Sequence, residues 1–385
     1  MKTADPELMR AINRFHVMDA IRRFGPIARV EISDRTDLSP TTVSAITALL
    51  LDDELIVPLQ LGAVRDAARG RPRVMLELNP AAAFVVGVKL APDQITVVTT
   101  NFRADVLKSL ALPIRIDRQP FPVIVDLVED GVRRCVADAG LAIGRIGGVC
   151  VGLPGVVERS AGRCRQSPIF RERDVPLGGE LSARLGTPVT VDSDVNLVTL
   201  AEHWFGHGRG LDDFLVVSIE QSLGLGIMHN GELFRGANGL SPDLGDLLVR
   251  QPGRDGQNTP DRLAALVSAG RGDGQTAKGD ASHAGSNGAF SVEAAEALGI
   301  AIANLITLFA PPKVILAGAA LAAGDGLLKP LRAAVIEFTP PSLADVSEII
   351  VRQWEDEIWA RGAAAMTLRD LYGAPWNTTG PALHR

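Results

Sequence analysis

The sequence predicts an α/β protein headed by a winged helix-turn-helix, and three observations predict it. Two short amphipathic stretches flank a turn at Asp37-Leu38-Ser39, and Ser39-Pro40 reads as a helix start, with a capping hydroxyl followed by proline at the first helical position. Two short apolar runs then flank a connection carrying Arg69-Gly70-Arg71-Pro72-Arg73. From Phe84 onward, strand-like apolar runs alternate with helix-like ones to the end of the chain.

The elements follow in order. Residues 6–24 place Leu8, Ile12, Phe15, Val17, Ile21 and Phe24 on one broad stripe at helical spacing, and Gly25 closes the helix. A second helix covers 28–36. The third, from Pro40 to about Asp52, is expected to bury Val43, Ile46, Leu49 and Leu50 and to offer Thr41, Thr42, Ser44 and Thr47 on its outer side, with Ser39 as its cap. In a helix-turn-helix this third helix enters the major groove of double-stranded DNA, and its N-terminal residues meet base edges and phosphate. It has no Lys or Arg. The basic tip supplies what the helix lacks: Arg69, Arg71 and Arg73 form a flexible cationic point of the kind that enters a minor groove. The bland alternatives are a helical bundle used for protein contact and a merely solvated basic loop; the two features together are more specific than either.

Composition bounds the rest. At 385 residues the chain is long enough for two or three domains, and 46% apolar with 22% charged residues is an ordinary globular balance. A net charge of −6 excludes a wholly basic nucleic-acid coat, and the first 80 residues hold eleven basic and eleven acidic side chains, so contact with DNA must be local. Three cysteines without a C-x-x-C spacing indicate neither a disulfide framework nor a zinc knot, which fits a reducing, cytoplasmic compartment. The first ten residues contain no apolar leader, and no uninterrupted run of about eighteen apolar residues points to a membrane span.

Asn79-Pro80 marks the boundary of the first domain, 1–80. After it, Phe84–Val88 and Gln94–Thr100 read as a strand pair. Further strands are expected at 147–151, 189–191, 214–219, 226–229 and 314–317, and helices at 121–139, 178–185, 195–205 and 291–309. Residues 270–288, rich in Gly, Ser and Asp without periodicity, read as a loop.

Several stretches add up to a resemblance. Gly152-Leu153-Pro154-Gly155-Val156 follows a strand; Val189-Thr190-Val191-Asp192-Ser193-Asp194-Val195-Asn196 leads into Ala201-Glu202; then come Gly224-Leu225-Gly226-Ile227, Asn230-Gly231-Glu232-Leu233 and Arg235-Gly236-Ala237-Asn238-Gly239-Leu240. With the N-terminal winged helix, this resembles the ROK family, which groups sugar-responsive repressors with sugar kinases. The resemblance implies an actin/hexokinase-like (ribonuclease H-like) body of two α/β lobes, the first over 81–197 with about 360–373 returning to it, the second over 198–359, and a sugar site between the lobes.

By that resemblance, kinases of the family open the first lobe with an Asp-x-Gly-Gly-Thr turn that cradles nucleotide phosphates. Here the matching residues are Lys89-Leu90-Ala91-Pro92-Asp93; Pro92 has no N–H to donate and Asp93 repels phosphate, which argues against an enzyme. The second glycine-rich turn, Gln221-Ser222-Leu223-Gly224, also departs from the family pattern. In the sugar site, Asp194 matches the family aspartate, with a helix-terminal carboxylate as its alternative reading, and Ser193 replaces an asparagine. Asp243 and Asp246 stand where the family has Glu-x-Gly-His, and the later glutamate falls at Ala264, near Ser268. As an ionised carboxylate, Asp246 only accepts hydrogen bonds, unlike the imidazole it replaces. The run that carries zinc-binding cysteines in family repressors is Gly253–Pro260 here, without cysteine, so no metal and no other cofactor is expected. His203 and His207 are spaced as metal ligands on a helix can be, but Gly206 lies between them.

The expectation is a homo-oligomeric repressor, dimer or tetramer, acting on a palindromic operator under a sugar or sugar-derivative effector. Alternatives are a regulator whose degenerate sugar site answers to a partner protein, and a sugar kinase with an extra domain.

Overall fold

The computed structural model describes residues 6–59, 74–220, 222–236, 239–240, 243–251, 259–270, 290–353 and 356–373. The chain divides into two compact units, one of Met1–Gly152, Pro176–Val191 and Ala360–Arg385, the other of Leu153–Val175 and Asp192–Trp359.

The first unit opens with α1 (Pro6–Phe24), β1 (Ile27–Ala28), α2 (Arg29–Thr36) and α3 (Pro40–Asp52). Asp37 ends α2 in the left-handed conformation at φ 54°, and Ser39 caps α3 by accepting from the Thr42 N–H at 3.1 Å. β2 (Ile56–Leu59) and β3 (Met75–Leu78) pair antiparallel, and β3 also pairs with β1, giving the order β1-β3-β2. Phe15, Val17, Met18, Ile21, Ile32, Val43, Leu50, Ile56 and Leu76 form the core of this winged helix. Three expectations for it are corrected. Leu8 and Phe24 are exposed, at either end of α1, rather than on a buried stripe. Leu49 is 60% exposed, because the α3 stripe facing the core runs through Val43, Thr47 and Leu50 at i, i+4 and i+7. Thr47 is therefore fully buried.

The same unit continues with β4 (Phe84–Ala91), β5 (Gln94–Asn101), β6 (Val106–Leu112), α4 (Phe121–Asp138) and β7 (Ile146–Leu153). The chain passes into the second unit through the hairpin of β8 (Val156–Glu158) and β9 (Arg163–Gln166), then returns with α5 (Leu177–Leu185) and β10 (Val189–Ser193). The sheet order is β10-β7-β4-β5-β6, with β4, β5 and β6 an antiparallel meander and β7 parallel to β4.

The turn between β5 and β6 is a junction. Tyr372 donates its hydroxyl to Phe102 O at 2.6 Å, its ring meeting Phe102 edge-on, and Arg361 donates to Ala104 O at 2.9 Å. From the same turn, Arg103 reaches β3, donating to Leu78 O at 2.8 Å and pairing with Glu77 at 2.7 Å.

The second unit holds α6 (Asp194–Phe205), β11 (Phe214–Ile219), β12 (Leu223–His229), β13 (Glu232–Leu233), the hairpin of β14 (Leu248–Gln251) and β15 (Thr259–Arg262), α7 (Leu263–Gly270), α8 (Val292–Phe309), β16 (Lys313–Ala317), α9 (Asp325–Phe338) and β17 (Glu348–Arg352). α10 (Asp356–Leu371) then carries the chain back to the first unit. The second sheet has the order β13-β12-β11-β16-β17, with β12 antiparallel and β16 parallel to β11. Its core includes Val217, Leu225, Leu298, Ile302, Leu316, Leu327 and Leu331. α8 is long and apolar enough to cross a membrane by length and composition, although Glu293 and Glu296 interrupt its apolar residues; 56% of it is buried, with Leu298, Ile302 and Leu305 in this core.

The expected strands and helices from Phe84 onward are all present, within a few residues at their ends. Unexpected are β6, the hairpins β8–β9 and β14–β15, β13, β17, α7, and α9, which holds Pro330 inside the helix. The expected loop at 270–288 falls, beyond Gly270, outside the described residues.

Candidate functional site

Of the five contact residues expected at the cap and on α3, Ser39, Thr41, Thr42 and Ser44 reach solvent. Thr41 and Ser44 are exposed on the outer side of α3. Ser39 and Thr42 share a hydroxyl–hydroxyl hydrogen bond of 2.8 Å at its N-terminus, and Ser44 Oγ donates to Pro40 O at 2.7 Å. Thr47 is corrected: it has no exposed surface, and its hydroxyl accepts from Arg29 Nε at 2.8 Å, which fixes the guanidinium at the start of α2. Arg29 is the cation that sequence reading missed here; its tie crosses eighteen residues, so no local pattern signals it. Arg69, Arg71 and Arg73 lie outside the described residues. Beside the outer side of α3, α1 leaves a groove whose walls include Arg10, Arg14, Ala45, Ile46 and Leu49.

In the second unit, Ser193, Asp194 and Asp243 line one pocket with Gly155, Val195, Ser222, Leu223 and Gly224. The strand-to-helix junction sets its base. Ser193 ends β10 and is 5% exposed; Asp194 begins α6, is 9% exposed, and accepts from the Val195 N–H at 2.7 Å, where the helix dipole favours negative charge. Asp243 accepts from Gly245 N at 2.9 Å. Although Asp243 as a whole is exposed, burial at its carboxyl end pushes its pKa above the usual carboxylate value, and Asp246 adds to the rise. The pocket is small, about 30 Å³.

Other expected residues stand apart from that pocket. Asp246 is exposed and ion-paired with Arg262. Ala264 lies on α7 against Gly245, and Ser268 is exposed on the same helix. His203 is buried on α6, and among the described residues no group of three His, Cys, Asp or Glu could hold a metal ion.

One buried charge network was missed by sequence reading. Asp192, 2% exposed, pairs with Arg235 at 2.8 Å and Arg159 at 3.4 Å and accepts from Asn196 Nδ2 at 2.7 Å and Ser193 N at 2.8 Å. Burial by itself raises its pKa; the charges of Arg235 and Arg159, with the Asn196 bond, more than offset that and hold it below the usual carboxylate value. The network fixes the backbone immediately before the two pocket residues Ser193 and Asp194. Its only local signal is the repeated acid in Asp192-Ser193-Asp194, because the arginines are 33 and 43 residues away.

The two glycines of β12 serve close packing. A Cβ on Gly226 would lie 1.8 Å from Thr199 Oγ1, and one on Gly224 would lie 2.8 Å from Val195 Cβ, so β12 packs closely against α6 at these two positions. In the first unit, β4 and β5 join through the two-residue turn Pro92-Asp93. Pro92 is buried, and its carbonyl accepts from Ile116 N at 2.9 Å and Asp117 N at 3.3 Å. Lys89 is 6% exposed on β4. This turn offers no glycine backbone to a phosphate.

A xylose repressor of Caldicellulosiruptor bescii is 26% identical over 96% of this chain and 98% of its own length. A glucokinase of Thermotoga maritima is 29% identical over 58% of this chain and 80% of its own. The crystal structure of a ROK family transcriptional regulator, a homolog of the E. coli MLC protein, shares the fold with a TM-score of 0.71 over 95% of this chain and 97% of that one, at 24% identity. The ROK family profile matches residues 85–370, most of the chain, and this protein therefore belongs to the ROK family.

Proposed function

We propose that this chain is a DNA-binding transcriptional repressor of carbohydrate-related genes, controlled by a sugar or sugar derivative, and that it works in the cytoplasm as a homo-oligomer. One observation carries the reading: a complete helix-turn-helix, with α3 capped by Ser39, heads a chain that aligns along 96% of its length with a xylose repressor. We place DNA contact at Ser39, Thr41, Thr42 and Ser44 of α3 and at Arg69, Arg71 and Arg73. The effector meets Ser193, Asp194 and Asp243, whose hydroxyl and carboxylates accept or share hydrogen bonds with sugar hydroxyls. Asp246 contributes only if it gives up Arg262. The working division is a DNA-binding domain over 1–80, a first lobe over 81–197 with about 360–373, and a second lobe over 198–359; the compact units differ from it by drawing Leu153–Val175 and 192–197 into the second.

No phosphoryl transfer is part of this function. Pro92-Asp93 and the buried Lys89 support that exclusion, since a phosphate needs donors or cations at the turn and meets neither a glycine N–H nor an accessible ammonium there.

Selecting bound duplexes from genomic DNA with the full chain, then repeating the binding with xylose, glucose and N-acetylglucosamine, tests the reading. We expect enrichment of palindromes beside carbohydrate genes and a shift in affinity with one sugar class. No enrichment of any duplex sinks the repressor assignment. The volume of about 30 Å³ at Ser193 and Asp194 favours one second reading, control by a partner protein; intact operator binding with no response to any sugar selects it.

A further inference from the structure

The outward face of α3 limits which bases it can read. Opposite the buried stripe of Val43, Thr47 and Leu50 stand Thr41, Ser44, Ala45, Ala48 and Leu49, all exposed. Major-groove recognition of guanine rests mainly on Arg or Lys, and that of adenine on Asn or Gln. α3, with the sequence PTTVSAITALLLD, has none of the four.

Its hydroxyls are partly committed as well. Ser39 and Thr42 bond to each other in the cap, and Ser44 spends its proton on Pro40 O, which leaves Ser44 able only to accept from a base. Asp52, exposed at the C-terminal end of the same face, repels phosphate and confines the approach to the first three turns. What remains on those turns is apolar: the methyl groups of Ala45 and Ala48 and the side chain of Leu49, 60% exposed. On the major-groove floor, the apolar group is the 5-methyl of thymine.

We infer that α3 reads thymine 5-methyl groups through Ala45, Ala48 and Leu49, with Thr41 and Ser44 as its polar partners. The inference rests on the DNA-binding reading and names the base chemistry that reading requires. Sequence choice then comes from methyl contact and shape, and bidentate hydrogen bonds take no part on this helix.

Deoxyuridine tests it cleanly, because it differs from thymidine only by that methyl and keeps every base-pairing group. In the duplex enriched by the full-length chain, each thymine of one half-site is replaced in turn, and affinity is read by fluorescence anisotropy at fixed salt. At two or three positions, each lost methyl should weaken binding about three- to fivefold, the worth of one buried carbon. With Leu49→Ala, a surface change that leaves the core stripe intact, one of these uracil effects should vanish while the others persist. That non-additivity separates a direct contact from altered DNA stiffness. An enriched site that binds equally well with every thymine replaced overturns the inference alone. So does uracil sensitivity that Leu49→Ala and Ala48→Gly both leave unchanged. Enrichment of no duplex overturns the DNA-binding reading and this inference together.

Discussion

The two five-stranded sheets share one strand order and use it differently. In both, the third, second and first strands of the sheet lie side by side and are followed by the fourth and fifth: β6-β5-β4-β7-β10 in one unit and β13-β12-β11-β16-β17 in the other. In the first, the hairpin between first and second strands is closed by Pro92-Asp93, with Pro92 buried and its carbonyl occupied. In the second, the corresponding hairpin supplies Ser222, Leu223 and Gly224 to a pocket shared with Ser193, Asp194 and Asp243, and the buried Asp192 carboxylate, paired with two arginines, directly precedes Ser193. Topology alone therefore does not decide which hairpin lines a pocket. The decision lies in a few side chains at the hairpin tip and at the start of the following helix.

The largest effect that separates the two units is expected at Asp192. Asp192→Ala removes a buried carboxylate from two half-buried guanidinium groups and should cost about 3–5 kcal/mol, read as a fall in the melting temperature. Against the cost of burial, Arg235 and Arg159 hold the folded Asp192 below its unfolded pKa of about 3.9. Its contribution is therefore fully present at neutral pH and is lost as pH falls below that value and through the lower folded one. The stability gap between wild type and variant should close in acid. A gap that stays constant to pH 3 would show that Asp192 acts by packing rather than by charge.

Next come the glycines at which each sheet meets a helix. A Cβ on Gly87 would lie 1.9 Å from Ala360 O and 2.5 Å from Ala364 N, both backbone atoms of α10, whereas one on Gly226 meets the Thr199 hydroxyl. Backbone cannot rotate away, whereas the hydroxyl can, which leaves contacts of 3.0 Å to Thr199 Cβ and Val195 O. Gly87→Ala should cost about 3 kcal/mol and Gly226→Ala about 1 kcal/mol in denaturant unfolding. Equal losses would show that α10 shifts as freely as a side chain turns.

The smallest effect belongs to Asp246. Its ion pair with Arg262 is exposed, so Asp246→Asn should change stability by less than about 1 kcal/mol. The variant should also leave sugar affinity unchanged, because Asp246 lies off the pocket that Asp243 lines; isothermal titration calorimetry of the variant against Asp243→Asn checks this. A loss at Asp246 equal to that at Asp243 would bring Asp246 into the site.

Local patterns in the sequence carry much of this architecture. Ser39-Pro40 marks the start of α3, Gly25 the end of α1, and Asn79-Pro80 the passage from β3 to β4. What escapes is non-local. The phase of α3 is ambiguous, since Ile46 and Leu49 are as apolar as Val43 and Leu50, and only packing shows that Thr47 shares the buried face. Of the pocket, Ser193, Asp194 and Asp243 are legible through family resemblance. Asp192 is not, although it sits between legible neighbours, because its partners come from the β8–β9 region and from Arg235. Pro330 conceals α9 for a related reason: tertiary burial of Leu327, Leu331 and Val335 overrides the local penalty of a proline inside a helix.

Arg103 has a consequence for how the DNA-binding head is carried. The turn that holds it takes hydrogen bonds from Arg361 and Tyr372 of the C-terminal region and passes two of its own to the wing strand. The α10 region and the strand β3 are thus joined through one short turn. The winged helix is therefore held by side-chain hydrogen bonds as well as by the covalent passage at Asn79-Pro80.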